Sequence, residues 1–320
     1  MPYFGTLPDM FDLWLYSVSL NPTIDFLLMT DVNLEKYNVP SNLHVTHTTF
    51  QKMQERVKKH FGETAKLERP YKLCDYRPSY GELFKEELTE YEFFGWCDTD
   101  MILGDLRSFL TSELLSSTDK IGEGGMFVLI RNQEPFISFY RQSNLATTGV
   151  NYKETFFSKY HKGFDEGDFM NRVWDEVFRP HNELFNLVGD TRPRYFDYTT
   201  YRSYDGGKEL YRYEKGKVYR ISERRGKEEM MWVHFLWRSM TKETGLNQDD
   251  FWCTPDSFVT TSDSNFFENY VPDEKAVKVF EQRKRRKKIK RLLSLFSTGQ
   301  LYFKCRTRFR RWKLKIVRNV

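Results

Sequence analysis

A chain of 320 residues with 17% aromatic side chains is long and apolar enough to bury a sizeable core, which excludes a disordered chain. Its four cysteines, Cys74, Cys97, Cys253 and Cys305, are widely spaced without a Cys-x-x-Cys pair, a pattern that suits reduced thiols and excludes a disulfide framework or a zinc knuckle. The net charge of +5 hides two opposite parts: of the 50 Lys plus Arg, 16 fall in Arg283–Val320 with no acid among them, leaving 34 to set against 45 acids elsewhere, a net of −11.

The opening Met1-Pro2-Tyr3-Phe4-Gly5 reads as a strand end and a turn, so a first strand is expected upstream, or the sheet is one strand short. Pro8 and Asp9 start a helix with the apolar stripe Phe11, Leu15 and Val18 beside Trp14, stopped by Asn21-Pro22. Ile24 to Thr30 has the length and apolarity of a buried strand and ends at Asp31. Leu43 to Thr48 reads as another strand, and Thr49 to Phe61 as a helix opened by a threonine cap. Tyr71 to Leu88 is expected to be a long helix, kinked or split by Pro78 and Gly81. An aromatic strand, Tyr91 to Cys97, runs into Asp98-Thr99-Asp100, and Asp105 to Leu115 is helical. Gly124 to Asn132 is strand-like, its glycine pair allowing a close approach to the backbone. A helical stretch follows from Ser158 through Phe178, then a hairpin over Lys208 to Ile221 around Glu214-Lys215-Gly216-Lys217, and a short strand Val233 to Phe235. This alternation predicts an α/β fold whose mixed, mostly parallel sheet is flanked by helices, with no internal repeat.

The strongest chemical signal is the Asp-x-Asp step at Asp98 and Asp100. In open α/β sheets ligands bind beyond the carboxyl ends of strands, and two carboxylates one residue apart can face a single hard cation, Mn²⁺ or Mg²⁺. Such a cation would bridge a diphosphate and offset the charge on a departing nucleotide. A solvated turn is the alternative. It gains little from being clamped between the aromatic strand and the apolar Met101-Ile102-Leu103.

Around this step stand Tyr71-Lys72-Leu73-Cys74-Asp75-Tyr76-Arg77-Pro78, the opening Pro2-Tyr3-Phe4-Gly5 with Leu7-Pro8, Phe164-Asp165-Glu166, and His234-Phe235 with Arg238. In this order, over residues 1 to 240, they resemble a bacterial polysaccharide-biosynthesis (capsule and exopolysaccharide) glycosyltransferase family of the GT-A type with a DxD motif. A more distant likeness extends to GT-A enzymes that carry an Asp-x-x-Arg helix before the DxD. The resemblance implies a GT-A-like domain over 1–270 that moves a sugar from a nucleoside diphosphate sugar, a UDP-sugar foremost, to a glycan or a lipid-linked oligosaccharide. It implies that Tyr3, Phe4 and Gly5 line the nucleotide pocket, and that Lys72 and Asp75 face the nucleotide or the donor sugar. Asp98 and Asp100 would hold the metal and donor diphosphate, with His234 as third ligand or phosphate contact. Asp165 or Glu166 would deprotonate the acceptor hydroxyl, and Arg238 would pair with diphosphate or with a carboxylate of the body. Duller readings stand beside these: a surface ion pair for Lys72 and Asp75, a core histidine for His234, and a solvated helix start for Asp165-Glu166. Gly122-Glu123-Gly124-Gly125 departs from the family, whose strand entry here is simpler.

From about 275 to 320 the chain reads as a basic amphipathic tail in which Arg283–Arg291 is followed by apolar and aromatic residues interleaved with cations. That mixture suits an anionic membrane surface. No run of 18 apolar residues and no signal-peptide pattern occurs. The expected location is therefore the cytoplasm, peripherally on the inner face of the cell membrane, with no nucleic acid as partner. The rival from another class is a non-catalytic membrane adaptor or nucleic-acid-binding protein acting through this tail.

Overall fold

Three short parallel strands come first: β1 (Pro2–Tyr3), β2 (Phe26–Thr30) and β3 (Leu43–His47), ordered β1-β2-β3. The computed structural model describes residues 1–122, 125–143, 151–166, 173–174, 188–190, 207–236 and 238–297, with 305 and 309. Helix α1 (Phe11–Ser19) crosses between β1 and β2 and buries Phe11, Trp14, Leu15 and Val18, the expected stripe. Helix α2 (Phe50–Phe61) starts where the Thr49 hydroxyl accepts from the Lys52 N–H at 3.2 Å, and it stops at Gly62, whose φ of 100° few other residues adopt. The α1 crossover and the link over residues 31–42 leave the carboxyl ends of all three strands, at Tyr3, Thr30 and His47, along one edge.

The sheets that follow are largely antiparallel, which corrects the mostly parallel expectation. β4 (Phe93–Cys97), β6 (Lys120–Ile121) and β7 (Phe127–Arg131) form an antiparallel trio in the order β4-β7-β6. β5 (Met101–Leu103) pairs antiparallel with β12 (Trp232–His234), which pairs parallel with β8 (Val188–Asp190). A six-stranded sheet holds β9 (Glu209–Glu214), β10 (Lys217–Ser222), β11 (Gly226–Met230), β13 (Thr241–Lys242), β14 (Asp250–Cys253) and β15 (Ser257–Val259), ordered β11-β10-β9-β14-β15-β13. Only its β13–β15 pair is parallel. For β6–β7, β9–β10, β10–β11 and β14–β15 the reason is connection length: parallel strands need a crossover of a dozen residues or more, and these short links cannot supply one. The β9–β10 turn is the predicted hairpin, with Lys215 at φ 49° and Gly216 at φ 85° in its two central positions.

Three helical expectations change. Tyr71–Leu88 is a 3₁₀ segment, Pro70–Ser79, followed by one α turn at Tyr80–Leu83, because Pro78 lacks the N–H that an α-helix needs there. Asp105–Leu115 divides into Leu106–Ser108 and Ser112–Ser117. Residues 158 to 166 form turns; Val173 and Trp174 are helical, and the remainder of that expected helix lies outside the described residues.

Aromatic clusters fill the core. One gathers Tyr76, Trp96, Tyr140 and Phe156, a second Trp14, Leu103 and Trp232, and a third Tyr211, Phe251 and Trp252. Gly95 in β4 is the tightest backbone approach, since a Cβ there would lie 2.0 Å from the Val128 carbonyl oxygen. Gly95→Ala is expected to cost about 3 kcal/mol through strand displacement. A urea denaturation midpoint equal to that of the wild type would show that β4 and β7 separate freely. Beyond residue 270, the helix Glu274–Ser297 follows this body among the described residues. Among the described residues no helix is long and apolar enough to cross a membrane.

Candidate functional site

Strand β4 delivers Asp98-Thr99-Asp100 at its end, and β5 resumes at Met101. Main chain clamps the step from two sides. The Asp98 N–H donates to the Met126 carbonyl at 2.9 Å, and the Asp100 carbonyl accepts from the Phe235 N–H at 2.9 Å. Thr99 between them is buried. A solvated turn would have neither clamp. The aspartate side chains remain 25% and 28% exposed, open enough to meet a ligand.

His234 arrives from the other direction. The β5–β12 ladder sets it opposite Met101, next to Asp100. Its Nε2 lies 3.2 Å from Asp100 Oδ1 and 3.7 Å from Asp98 Oδ2, and one ligand atom from each of the three residues falls within 4.8 Å of the others. The ring itself is almost wholly buried. One imidazole and two carboxylates are a donor set that suits Mn²⁺ or Mg²⁺.

The end of β1 faces the same point. Burial pushes the Tyr3 phenol up, and the charges of Asp100 and Asp98 push it further. Its hydroxyl donates to the Thr6 carbonyl at 2.7 Å. Gly5, at φ 111°, is exposed and its N–H reaches Asp31 Oδ1 at 3.4 Å. Phe4, by contrast, is a core residue packed on Phe50 at 5.5 Å between ring centroids. Beyond Asp31, a cavity of about 530 Å³ opens between Leu34, Tyr37, Val45 and His47, at the carboxyl ends of β2 and β3.

The 3₁₀ segment Pro70–Ser79 ties the site to the loop carrying Asp165. Lys72 and Asp75 are fully buried. Lys72 Nζ donates to Asp75 Oδ2 at 2.6 Å and to the Thr155 and Tyr160 carbonyls at 2.8 Å each. Asp75 also accepts from the Lys162 and Phe164 N–H groups at 2.9 Å. This geometry corrects the surface ion-pair reading: both side chains lie fully inside the protein, behind the surface that a nucleotide or donor sugar would meet. The pair is a staple that holds residues 155 to 164 in place. Asp75, His161 and Asp165 also converge within 4.8 Å, but the oxygens of Asp75 are already engaged by these donors, so the group anchors a loop.

Arg77, in the same segment, has no role expected from the sequence. Its Nη2 pairs with Asp98 Oδ1, while Nη1 reaches Asp165 Oδ2 at 3.1 Å and the Gly125 carbonyl. A Cβ on Gly125 would sit 2.8 Å from Asp165 Oδ2 and 3.4 Å from Arg77 Nη1, which is the close approach that the glycine pair foreshadowed. Asp165 is 4% exposed. Burial pushes its carboxyl up to about 7, and the Arg77 guanidinium draws it back only in part. Glu166 beside it is exposed. His161, for which the sequence reading gives no role, packs tilted against Tyr71, 4.6 Å between ring centroids, and places Nε2 3.7 Å from Asp75 Oδ1. Arg238 donates through Nη1 to the Pro255 carbonyl at 3.2 Å, at the β14–β15 turn.

The raised Asp165 carboxyl gives stability a pH dependence with a definite sign. Unfolded, the group loses its proton near the ordinary carboxyl value of 3.8; folded, it keeps the proton to about 7. Its contribution is therefore complete below about pH 4 and is lost as pH rises through 7. Wild type should lose stability relative to Asp165→Asn over that interval. Urea unfolding of both proteins at several pH values between 4 and 8 checks this, and a constant difference would mean that the folded carboxyl is ionised throughout.

Residues 1–262 match the model of a family described as Family of unknown function (DUF6625). No curated protein and no solved structure matches the chain.

Proposed function

The chain belongs to the DUF6625 family of unknown function, and from its site geometry we propose that it is a metal-dependent glycosyltransferase using a nucleoside diphosphate sugar. The observation that carries this reading is the convergence of Asp98, Asp100 and His234 at the carboxyl edge of a parallel βαβ unit, beside Tyr3. That edge is where α/β sheets bind nucleotides. The GT-A-like topology is part of the same proposal, supported by parallel strands β1 to β3 followed by an Asp-x-Asp step at the end of β4.

Asp98, Asp100 and His234 would hold Mn²⁺ or Mg²⁺. When bound, the ion would neutralise charge on the departing nucleoside diphosphate. Asp31, Tyr37 and Val45 would receive the nucleoside in their cavity, and Tyr3 would close the path between it and the aspartates. Asp165, 4% exposed in this structure, would have to be uncovered to accept the proton of an acceptor hydroxyl, where a carboxyl titrating near neutrality would be a better base than one titrating near 4. Arg77 keeps that carboxylate at a fixed distance from Asp98. Exposed Glu166 is the second candidate for the same proton. The acceptor class is a hydroxyl of a glycan or a lipid-linked oligosaccharide.

The test is thermal unfolding of the full chain with a panel of nucleotide sugars, with and without Mn²⁺. Binding to the native state raises the midpoint by mass action. One UDP-sugar should shift it only when Mn²⁺ is present. If no nucleotide sugar moves the midpoint under either condition, the reading fails.

A further inference from the structure

The helix Glu274–Ser297 lies apart from the cluster of Asp98, Asp100 and His234 in sequence and in composition. It begins twelve residues beyond the last residue matched by the family model, and it carries a surface unlike the rest of the chain. Ala276, Val277, Phe280, Glu281 and Lys284 are partly covered and share one side of the helix. Lys275, Val279, Gln282, Arg286, Ile289 and Leu293 repeat at intervals of four and three residues, which stacks them on one helical face. All six are exposed, with Val279, Ile289 and Leu293 at 43%, 58% and 64%. Lys278, Arg283, Arg285 and Lys290 flank that face and are exposed as well.

Three of the six, Val279, Ile289 and Leu293, are aliphatic side chains held open to water between cations, a mixture that suits a charged surface with an apolar layer beneath it. We infer that this face docks on an anionic lipid bilayer. Cations at the margins of the stripe would meet lipid phosphates while Ile289 and Leu293 enter the boundary between headgroups and acyl chains. Nucleic acid would use the cations but leave the aliphatic side chains without a partner. The charge division reinforces the choice of face: residues outside Arg283–Val320 carry a net of −11, so an anionic surface attracts the helix and repels the remainder. The protein would therefore sit helix-first, with the helix lying along the membrane plane. This inference stands independently of the transferase reading.

Co-sedimentation of the full chain with vesicles tests it. Phosphatidylcholine vesicles containing about one third phosphatidylglycerol should bind the protein, and pure phosphatidylcholine should not. Neutralising Arg283, Arg285, Arg286 and Lys290 together to glutamine should weaken binding by roughly 30-fold or more. The Ile289→Asp, Leu293→Asp pair should weaken it too, at unchanged salt. Because these side chains are exposed, the unfolding midpoint should stay at the wild-type value, separating lost docking from lost folding. Equal binding to both vesicle types, undiminished binding by the charge variant, or tighter binding of duplex DNA than of anionic vesicles would each overturn the inference.

Discussion

Replacing Lys72 with methionine is expected to cost about 3–5 kcal/mol of stability, because it strands the Asp75 carboxylate in a site with no access to solvent. The pair as a whole is worth far less than this, since removing two ions from water nearly offsets their attraction. What makes the single substitution severe is the asymmetry between losing one partner and losing both. Methionine also supplies no donor for the Thr155 and Tyr160 carbonyls, which Lys72 satisfies at 2.8 Å. Lys72→Met combined with Asp75→Asn should recover part of the loss, so the two costs will not add. Urea denaturation of the three variants measures this cycle. Strict additivity would mean that the two side chains are uncoupled, contrary to the 2.6 Å contact.

Asp98→Asn and Asp100→Asn should leave the fold intact and remove the chemistry. Each side chain is about a quarter exposed, so neither amide is forced into an unsatisfied buried position. Each change removes a negative charge from the one place where Tyr3, His234 and the aspartates meet. A transfer reaction that depends on this charge should slow by roughly 10²–10³-fold for either variant, the range found when one preorganised electrostatic group is lost. Mn²⁺ affinity, followed by electron paramagnetic resonance of the free ion, should fall alongside. The measurement pairs turnover of the nucleotide sugar that gives the largest thermal shift with an unfolding midpoint. Turnover and Mn²⁺ affinity both within twofold of wild type would sink the proposed function.

How far the sequence carried depended on whether a feature was local. The threonine cap of α2, the Lys215-Gly216 turn and the buried run of β2 are decided by near neighbours, and each sits where the residue pattern placed it. The Asp-x-Asp step could be read for the same reason, since strand, step and following apolar residues are contiguous. Sheet direction could not. The β5–β12 pairing joins residues some 130 positions apart, and nothing in either trio says which strand it will meet. Lys72 and Asp75 announced themselves as a pair by spacing, yet their burial depends on carbonyls and N–H groups of residues 155 to 164. Arg77 escaped assignment because its two carboxylate partners lie 21 and 88 positions away.

The ladder that sets His234 beside Asp100 spans 134 positions of chain. During synthesis, at roughly 5–20 residues per second, on the order of ten seconds separates the emergence of Asp100 from that of His234. For that interval the nascent chain holds two carboxylates and no imidazole between them. A chain cut short before Trp232 would lack both the β12 strand and the imidazole it carries, so it could not assemble the three-residue cluster of the finished protein.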